Sequence, residues 1–301
     1  MARRSFGTPT LIWSPRGRRG VPRLLGPGEL PQAAAFAQQA GAHGVLAGAR
    51  IADVMERRTA WGEVWGFGPP GDLRSICWFG GTLVPVGVAG ADVAALAAKV
   101  RSRGRGCASI VGEASGVLEL WRLLEPHWPT PRSVRPDQPL LEITRRADVA
   151  PDPLVRRARP DEIETVLPAA AAMFTEELGF SPLRDGSGYR HRVADLLARG
   201  MTYIRTHTAD GAQTDPPGRV VFKTDLGAAI GGNTQVHGVW VNPADRGRHL
   251  ARHGIATVVN DALDRGFTSV SLYVNAFNTP ALAAYNAVGF TQMGTWATVM
   301  F

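Results

Sequence analysis

Cysteine is scarce: the 301 residues contain two, Cys77 and Cys107. Two cannot build a disulfide framework, and no Cys/His group has zinc spacing, so no metal is expected. Both are read as small buried apolar residues rather than nucleophiles. A reducing cytoplasm is the expected compartment. Lysine is equally scarce, Lys99 and Lys223 being the only two. Arginine carries the rest of the basic charge, a bias that a GC-rich genome would impose. No apolar run approaches the roughly 18 to 20 residues that cross a bilayer, so no membrane-spanning helix is expected. The opening "MARRSFGTPTLIWSPRGRRG" has no continuous apolar core and is not read as a secretion signal.

What is present describes an ordinary globular chain, 45% hydrophobic and 20% charged. Its length suggests about two domains. The net charge of +7 is uneven. Residues 1–150 hold 19 Lys+Arg against 12 Asp+Glu, whereas residues 151–301 hold 14 of each. Arg3, Arg4, Arg16, Arg18 and Arg19 form a basic arm over residues 1–20, read as a solvated tail. The alternative is an arm that touches nucleic acid or an acidic partner. No aromatic stacking pattern supports it, and no nucleic-acid partner is expected.

Two segments flank a proline- and charge-rich joint, "RPDQPLLEITRRADVAPDPLVRRARPDE", with the boundary near Val149. Prolines 136, 139, 151, 153 and 160 break helix there, though "PLLEIT" and "LVRRARP" can be short strands. The first segment, 21–148, reads as a helix from Pro31 to about Gln39 and a hairpin in "LRSICWFGGTLVPVGV". The helix "ADVAALAAKVRSRG", the strand "CASIVG" and the helix "GVLELWRLLEPHW" follow. The second, 149–301, reads as helices in "EIETVLPAAAAMFTEELG" and "YRHRVADLLARG". Three strands come next: "MTYIRTHT", "RVVFKTDLGAA" and "TQVHGVWV". A helix from about Gly247 to Arg265, the strand "SVSLYV" and the helix "TPALAAYNAV" complete it. Both segments show helices, a hairpin and then helix–strand–helix, which hints at an old duplication.

The stretch "VNPADRGRHLARHG" takes a strand end at Val241 through an Arg-Gly-Arg turn into a helix. The first N–H groups of a helix lack internal partners, and its dipole adds positive charge. A phosphate is favoured there. Arg246 and Arg248 add full charges, and Gly247 lets backbone approach closely.

Downstream, "LYVNAFNTPALAAYNAVGF" places Asn278, Ala281, Tyr285, Gly289 and Phe290 at a spacing that resembles the last motif of the GNAT acetyltransferase superfamily. "VWVNPADRGRHLA" resembles that family's acetyl-CoA loop, about 25 residues upstream. The whole chain after about Val21 resembles actinobacterial tandem proteins, with a domain of unknown function ahead of a GNAT domain. "ELPQAAAFAQQAGAHGVLAGARI", "RPDQPLL", "AMFTEELG", "VVFK" and "GTWATVMF" carry that likeness.

The resemblance implies an α+β fold of two GNAT-like mixed-sheet domains, the acyl-CoA N-acyltransferase fold, with the N-terminal one degenerate. It implies an N-acetyltransferase that moves the acetyl group of acetyl-CoA to an amine by direct attack in a ternary complex. The acceptor, small molecule or protein, stays open, as does monomer or homodimer. It implies that Arg246, Gly247, Arg248, His249, Leu250 and Ala251 wrap the CoA pyrophosphate, mostly through backbone N–H groups. Val239, Trp240 and Val241 would lend backbone to the pantetheine arm, and an N–H near Val239 would polarise the acetyl carbonyl. Asn278 would bond the pantetheine. Tyr285 would protonate the leaving thiolate, since a phenol of ordinary pKa near ~10 carries its proton at neutral pH; otherwise it is a core aromatic.

His249 stands where the family has glycine. Helix entry is expected at negative φ, so glycine is not required. The histidine either narrows the pocket or turns outward. For the general base, His237 shares side-chain parity with Val239 and Val241 and titrates in the useful range, the alternative being a packed strand histidine. Glu176 or Glu177 comes second; adjacent helix residues face apart, so one at most points inward. Asp225 is third, and surface ion pairing is the alternative for all three. The N-terminal segment lacks the loop; "RSRGRGC" lies after a helix and before a strand and is read as a helix end plus turn. The rival reading is a non-catalytic CoA- or acyl-CoA-binding regulator or scaffold with a decayed fold.

Overall fold

The computed structural model describes residues 20–58, 62–184, 186–207 and 218–301. The five arginines of the basic arm lie outside them. Each half runs through the same order of elements. In the first, β1 (Arg23–Leu24), α1 (Leu30–Gln39) and α2 (Val45–Met55) precede β2 (Glu63–Phe67), β3 (Ser75–Phe79) and β4 (Thr82–Val86). Then come α3 (Ala91–Arg103), β5 (Ser109–Glu113), α4 (Ala114–Leu124) and β6 (Ser133–Ile143). In the second, β7 (Arg156–Arg157), α5 (Ile163–Leu178) and α6 (Gly188–Ala198) precede β8 (Thr202–Thr206), β9 (Val220–Ile230) and β10 (Asn233–Val241). Then come α7 (Leu250–Asp264), β11 (Ser269–Tyr273), α8 (Thr279–Val288) and β12 (Thr291–Met300).

All strands join one sheet of order β1-β2-β3-β4-β5-β12-β6-β11-β10-β9-β8-β7. Read from either end, each strand meets its counterpart six places on in sequence. The two parallel pairs, β4·β5 and β10·β11, are counterparts as well. This repetition of topology is what a duplication would leave, although the sequences of the halves have diverged. At the centre the last strands are exchanged. β12 pairs with β5 of the first half, and β6 pairs with β11 of the second.

The proline-rich joint is therefore not a linker over its whole length, because Ser133–Ile143 is a central strand. Its prolines are tolerated because β6 meets β11 only from Leu140 onward. Below that point β6 serves as acceptor: Val274 and Ala276 donate to the carbonyls of Pro139 and Asp137. Proline keeps its carbonyl and loses only its N–H. Four further elements, β1, α2, β2 and β12, had no expectation from sequence.

Helices α1, α2, α5 and α6 cover one face, where α2 crosses from its own half to lie over β9. Helices α3, α4, α7 and α8 cover the other. Cys77 and Cys107 are buried apolar residues as expected, and burial pushes both thiols above their ordinary pKa. The α3 helix ends at Arg103 before Gly104, so "RSRGRGC" is a helix end and turn. No helix among the described residues is long and apolar enough to cross a membrane, and none of their His, Cys, Asp and Glu side chains form a metal-binding group.

Candidate active site

The sheet opens between β10 and β11. Their parallel pairing covers three positions and ends at Gln235 opposite Ser271. Beyond it, β10 continues to Val241 along β9 alone, while the chain after β11 follows β6. Inside the fork, β10 carries a bulge. His237 lies opposite Asp225 and Trp240 opposite Lys223, so Gly238 and Val239 together face one residue of β9. Gly238 has φ +60°. A Cβ there would lie 2.7 Å from Met173 Cε. Glycine takes this conformation without strain and leaves room for Met173.

The bulge overturns the expected parity. His237 and Trp240 lie on the α5–α6 face, whereas Val239 and Val241 pack with the α7–α8 core. Trp240 is buried against α5 and can offer the fork only its backbone. His237 is half-buried, and its Nε2 lies 2.8 Å from Gln235 Oε1. Burial first, then Arg192, Arg50 and Lys223, hold its pKa down to about 3. It is neutral at pH 7 and too weak a base to match the preference for a catalytic pKa near the working pH.

The other base candidates are also occupied. Glu176 accepts from Trp240 Nε1 at 3.1 Å and from Arg246 at 2.5 Å. It fastens the loop before α7 to α5. Asp225 is buried, ion-paired with Lys223 and bonded by Thr202 Oγ1 at 2.8 Å. Glu177 is the carboxylate whose charge reaches the fork. It pairs with Arg135 of β6 at 3.2 Å and raises the pKa values of Tyr273 and Tyr285.

Tyr285 is 6% exposed within the α7–α8 core, edge-on to Phe290. Burial above all, with Glu177 second, pushes its pKa above the ordinary range. The phenol keeps its proton at every physiological pH. Asn278 caps α8: its Oδ1 accepts from Ala281 N at 3.3 Å, which leaves its NH2 group to donate elsewhere.

After Val241 the chain makes a 3-10 turn at Pro243–Asp245, capped by Asn242, and enters α7 at Leu250. Gly247 has φ +79°, and His249 has φ +60°. The expectation of negative φ at helix entry is thus wrong for this loop. Its glycine position does call for the left-handed region, and histidine occupies it. Histidine is among the residues that tolerate this region best. Its side chain is exposed. Alternating turn and left-handed residues aim successive N–H groups one way, and the free N–H groups of α7 follow. The two arginines are less available than expected. Arg246 bonds Glu176 and the Val241 carbonyl, and Arg248 bonds buried Asp245 at 3.1 Å. The cradle is a backbone one, and Asp245, which the sequence reading missed, locks its shape.

A sheet forked at one parallel pair, with a bulge in the fork and an amide-lined helix start at its mouth, is the architecture of an acyl-CoA N-acyltransferase. Residues 204–290 match the Acetyltransferase (GNAT) family, and residues 62–166 match a domain of unknown function, DUF4081. The C-terminal half thus carries a match to the GNAT family model, preceded by the DUF4081 match. A mycothiol acetyltransferase of Catenulispora acidiphila is 40% identical over 67 residues, which are 22% of this chain and 21% of that relative. The match thus spans about a fifth of that protein. An acetyltransferase from the GNAT family of Colwellia psychrerythraea superposes with a TM-score of 0.56 at 12% identity, over 93% of this chain and 99% of that one. A tandem GNAT protein from the clavulanic acid biosynthesis pathway gives 0.53 at 15% identity, over 92% and 97%. These two show the same fold, the tandem arrangement included.

Proposed function

We propose that the second half is an acetyl-CoA-dependent N-acetyltransferase and that the first half completes its sheet and acceptor side. The division into a 21–148 unit and a 149–301 unit belongs to this reading. The observation that carries it is the fork, which brings its bulge, its free β10 edge and the start of α7 to the same end of the sheet. The residues fit a pyrophosphate-bearing thioester: a Cβ at Gly247 would meet nothing within 4 Å, and the N–H groups of Arg248 to Ala251 surround it in sequence.

Acetyl-CoA would supply the activated acyl carbon. The backbone of Val239 and Val241 offers a strand edge to the pantetheine, and the Asn278 amide a donor. The N–H at the bulge is placed to stabilise a developing oxyanion. The acceptor nitrogen would form a C–N bond as the C–S bond breaks. The nitrogen loses one proton, and the thiolate takes one from Tyr285, whose burial keeps it protonated. His237 is held neutral by burial, and Glu176 and Asp225 are taken up by ion pairs, so the acceptor proton would leave through water.

Calorimetric titration with acetyl-CoA tests the reading. One equivalent at micromolar affinity, about −8 kcal/mol, is expected. Tyr285→Phe should keep that affinity and lose about 10²-fold or more in turnover, the lower range for a general acid. Binding without turnover in either protein would instead favour a CoA-responsive regulator. No binding up to millimolar would end the reading.

A further inference from the structure

Between α2 of the first half and α6 of the second lies a cleft of about 230 Å³, floored by Gly227 of β9. Arg50 and Asp53 come from α2, Arg58 follows it, and Arg192 and Arg199 lie at α6. The charges do not balance. Three guanidiniums share Asp53: Arg58 at 2.7 Å, Arg50 at 3.2 Å and Arg199 at 3.8 Å. Asp195 stands 3.5 Å from Arg199, and Arg58 also pairs with exposed Glu56 outside the cleft. Arg192 has no carboxylate within ion-pair distance among the described residues. It is the Nε of Arg199 that faces Asp195; this nitrogen is buried, and at 3.5 Å the carboxylate does not complete a hydrogen bond with it. A buried donor left unpaired costs about 1–3 kcal/mol unless something accepts from it. Burial and the charge of Arg192 both push the Arg50 guanidinium below its ordinary pKa, so the cluster repels itself.

The floor of this cleft leads to the fork. A Cβ on Gly227 would stand 2.2 Å from Nδ1 of His237, so the imidazole lies directly over that glycine. His237 Nε2 faces the side-chain Oε1 of Gln235, and Nδ1 sits against Gly227, which lines the cleft. The next residue, Gly238, begins the bulge.

We propose that this cleft binds an oxyanion of the acceptor: the amine substrate carries a carboxylate or phosphate group, gripped by arginines of both halves. His237, as its Nε2–H tautomer, then accepts a hydrogen bond from the amine through Nδ1 and orients it toward the bulge. A guanidinium fork matches the two oxygens of such a group. The word acceptor rests on the acetyltransferase reading, whereas the anion site does not. The first half thereby gains a role in specificity: Arg50 and Arg58 belong to it, and without them the cleft has one wall.

The test is a titration of the full chain with inorganic phosphate and, separately, with malonate, at fixed ionic strength, read by arginine Nε–H NMR signals. Saturable shifts at Arg50 and Arg199 are expected, weakened at least fivefold by Arg192→Ala and less by Arg192→Lys. Preference for one probe assigns the oxyanion as phosphate or carboxylate. Shifts that never saturate, that persist unchanged in Arg192→Ala, or that are confined to the amides of Gly247 to Ala251 overturn the proposal. A second arm compares amines with and without an anionic group by release of CoA thiol. The ratio of kcat/KM for the anionic over the neutral member should fall in Arg192→Ala. If acetyl-CoA fails to bind while phosphate saturates the arginines, the acetyltransferase reading falls and the anion site stands. If acetyl-CoA binds and phosphate does not, the anion site falls alone.

Discussion

Replacing His249 by Gly and by Ala gives a result whose sign tests the left-handed start of α7. At φ +60° an L-residue crowds its own Cβ against the following carbonyl. The cost is about 1–2 kcal/mol. Glycine escapes it but gives up about 0.5–1 kcal/mol more conformational freedom on folding than alanine. Subtracting the second from the first, the Gly variant should be more stable than the Ala variant by about 0–1.5 kcal/mol. Were residue 249 at negative φ, the first quantity would vanish and alanine would win by about 0.5–1 kcal/mol. Urea unfolding of the two variants side by side reads the difference, because the slopes should match and only the midpoints move. The strain exists before any ligand arrives, so it weighs on folding rather than on binding. Acetyl-CoA affinity should therefore agree within about twofold between the variants, a difference near 0.4 kcal/mol. Alanine more stable than glycine would refute the loop conformation, and a tenfold affinity difference would refute its being preformed.

Two more outcomes follow from the fork. Gly238→Ala places a Cβ 2.7 Å from Met173 Cε at φ +60°, so it should destabilise the fold by about 1–3 kcal/mol by thermal melting. Met173→Ala in the same background should recover part of that loss. His237, held near about 3 against an ordinary value of 6.5, binds its proton more readily when the chain is unfolded. Its contribution is therefore fully present above about pH 6.5 and is lost as pH falls from there toward 3. His237→Asn should flatten the fall in stability between pH 6.5 and 4; an unchanged slope would show that the imidazole is not desolvated.

Much of the local structure around the candidate site was legible because it is written in short contiguous stretches. "VNPADRGRHLA" gave the strand end, the loop and the helix, and "TPALAAYNAV" gave the helix that carries Tyr285, while the capping role of Asn278 was not foreseen. What was not legible depended on register. A bulge at Gly238 reversed the parity that made His237 attractive, and nothing in "TQVHGVWV" announces a bulge except its one glycine. Lys223 and Asp225, two apart in an otherwise apolar strand, were a readable signal of a buried ion pair. The prolines of "RPDQPLLEIT" argued against a central strand, and only the neighbouring strands explain why they fit. The arginines of the cleft lie far apart in sequence, so their meeting could not be foreseen.

The exchange of β6 and β12 also sets a timetable. On a ribosome the first half is made as far as Glu113 with one edge of β5 bare, and its neighbour β12 begins only at Thr291. An exposed β-edge is a template for unwanted pairing. The first half must therefore wait, half-finished, until nearly all of the second has emerged. A lineage that had lost every trace of chemistry from that half could still not discard it, because each half is the other's missing seam.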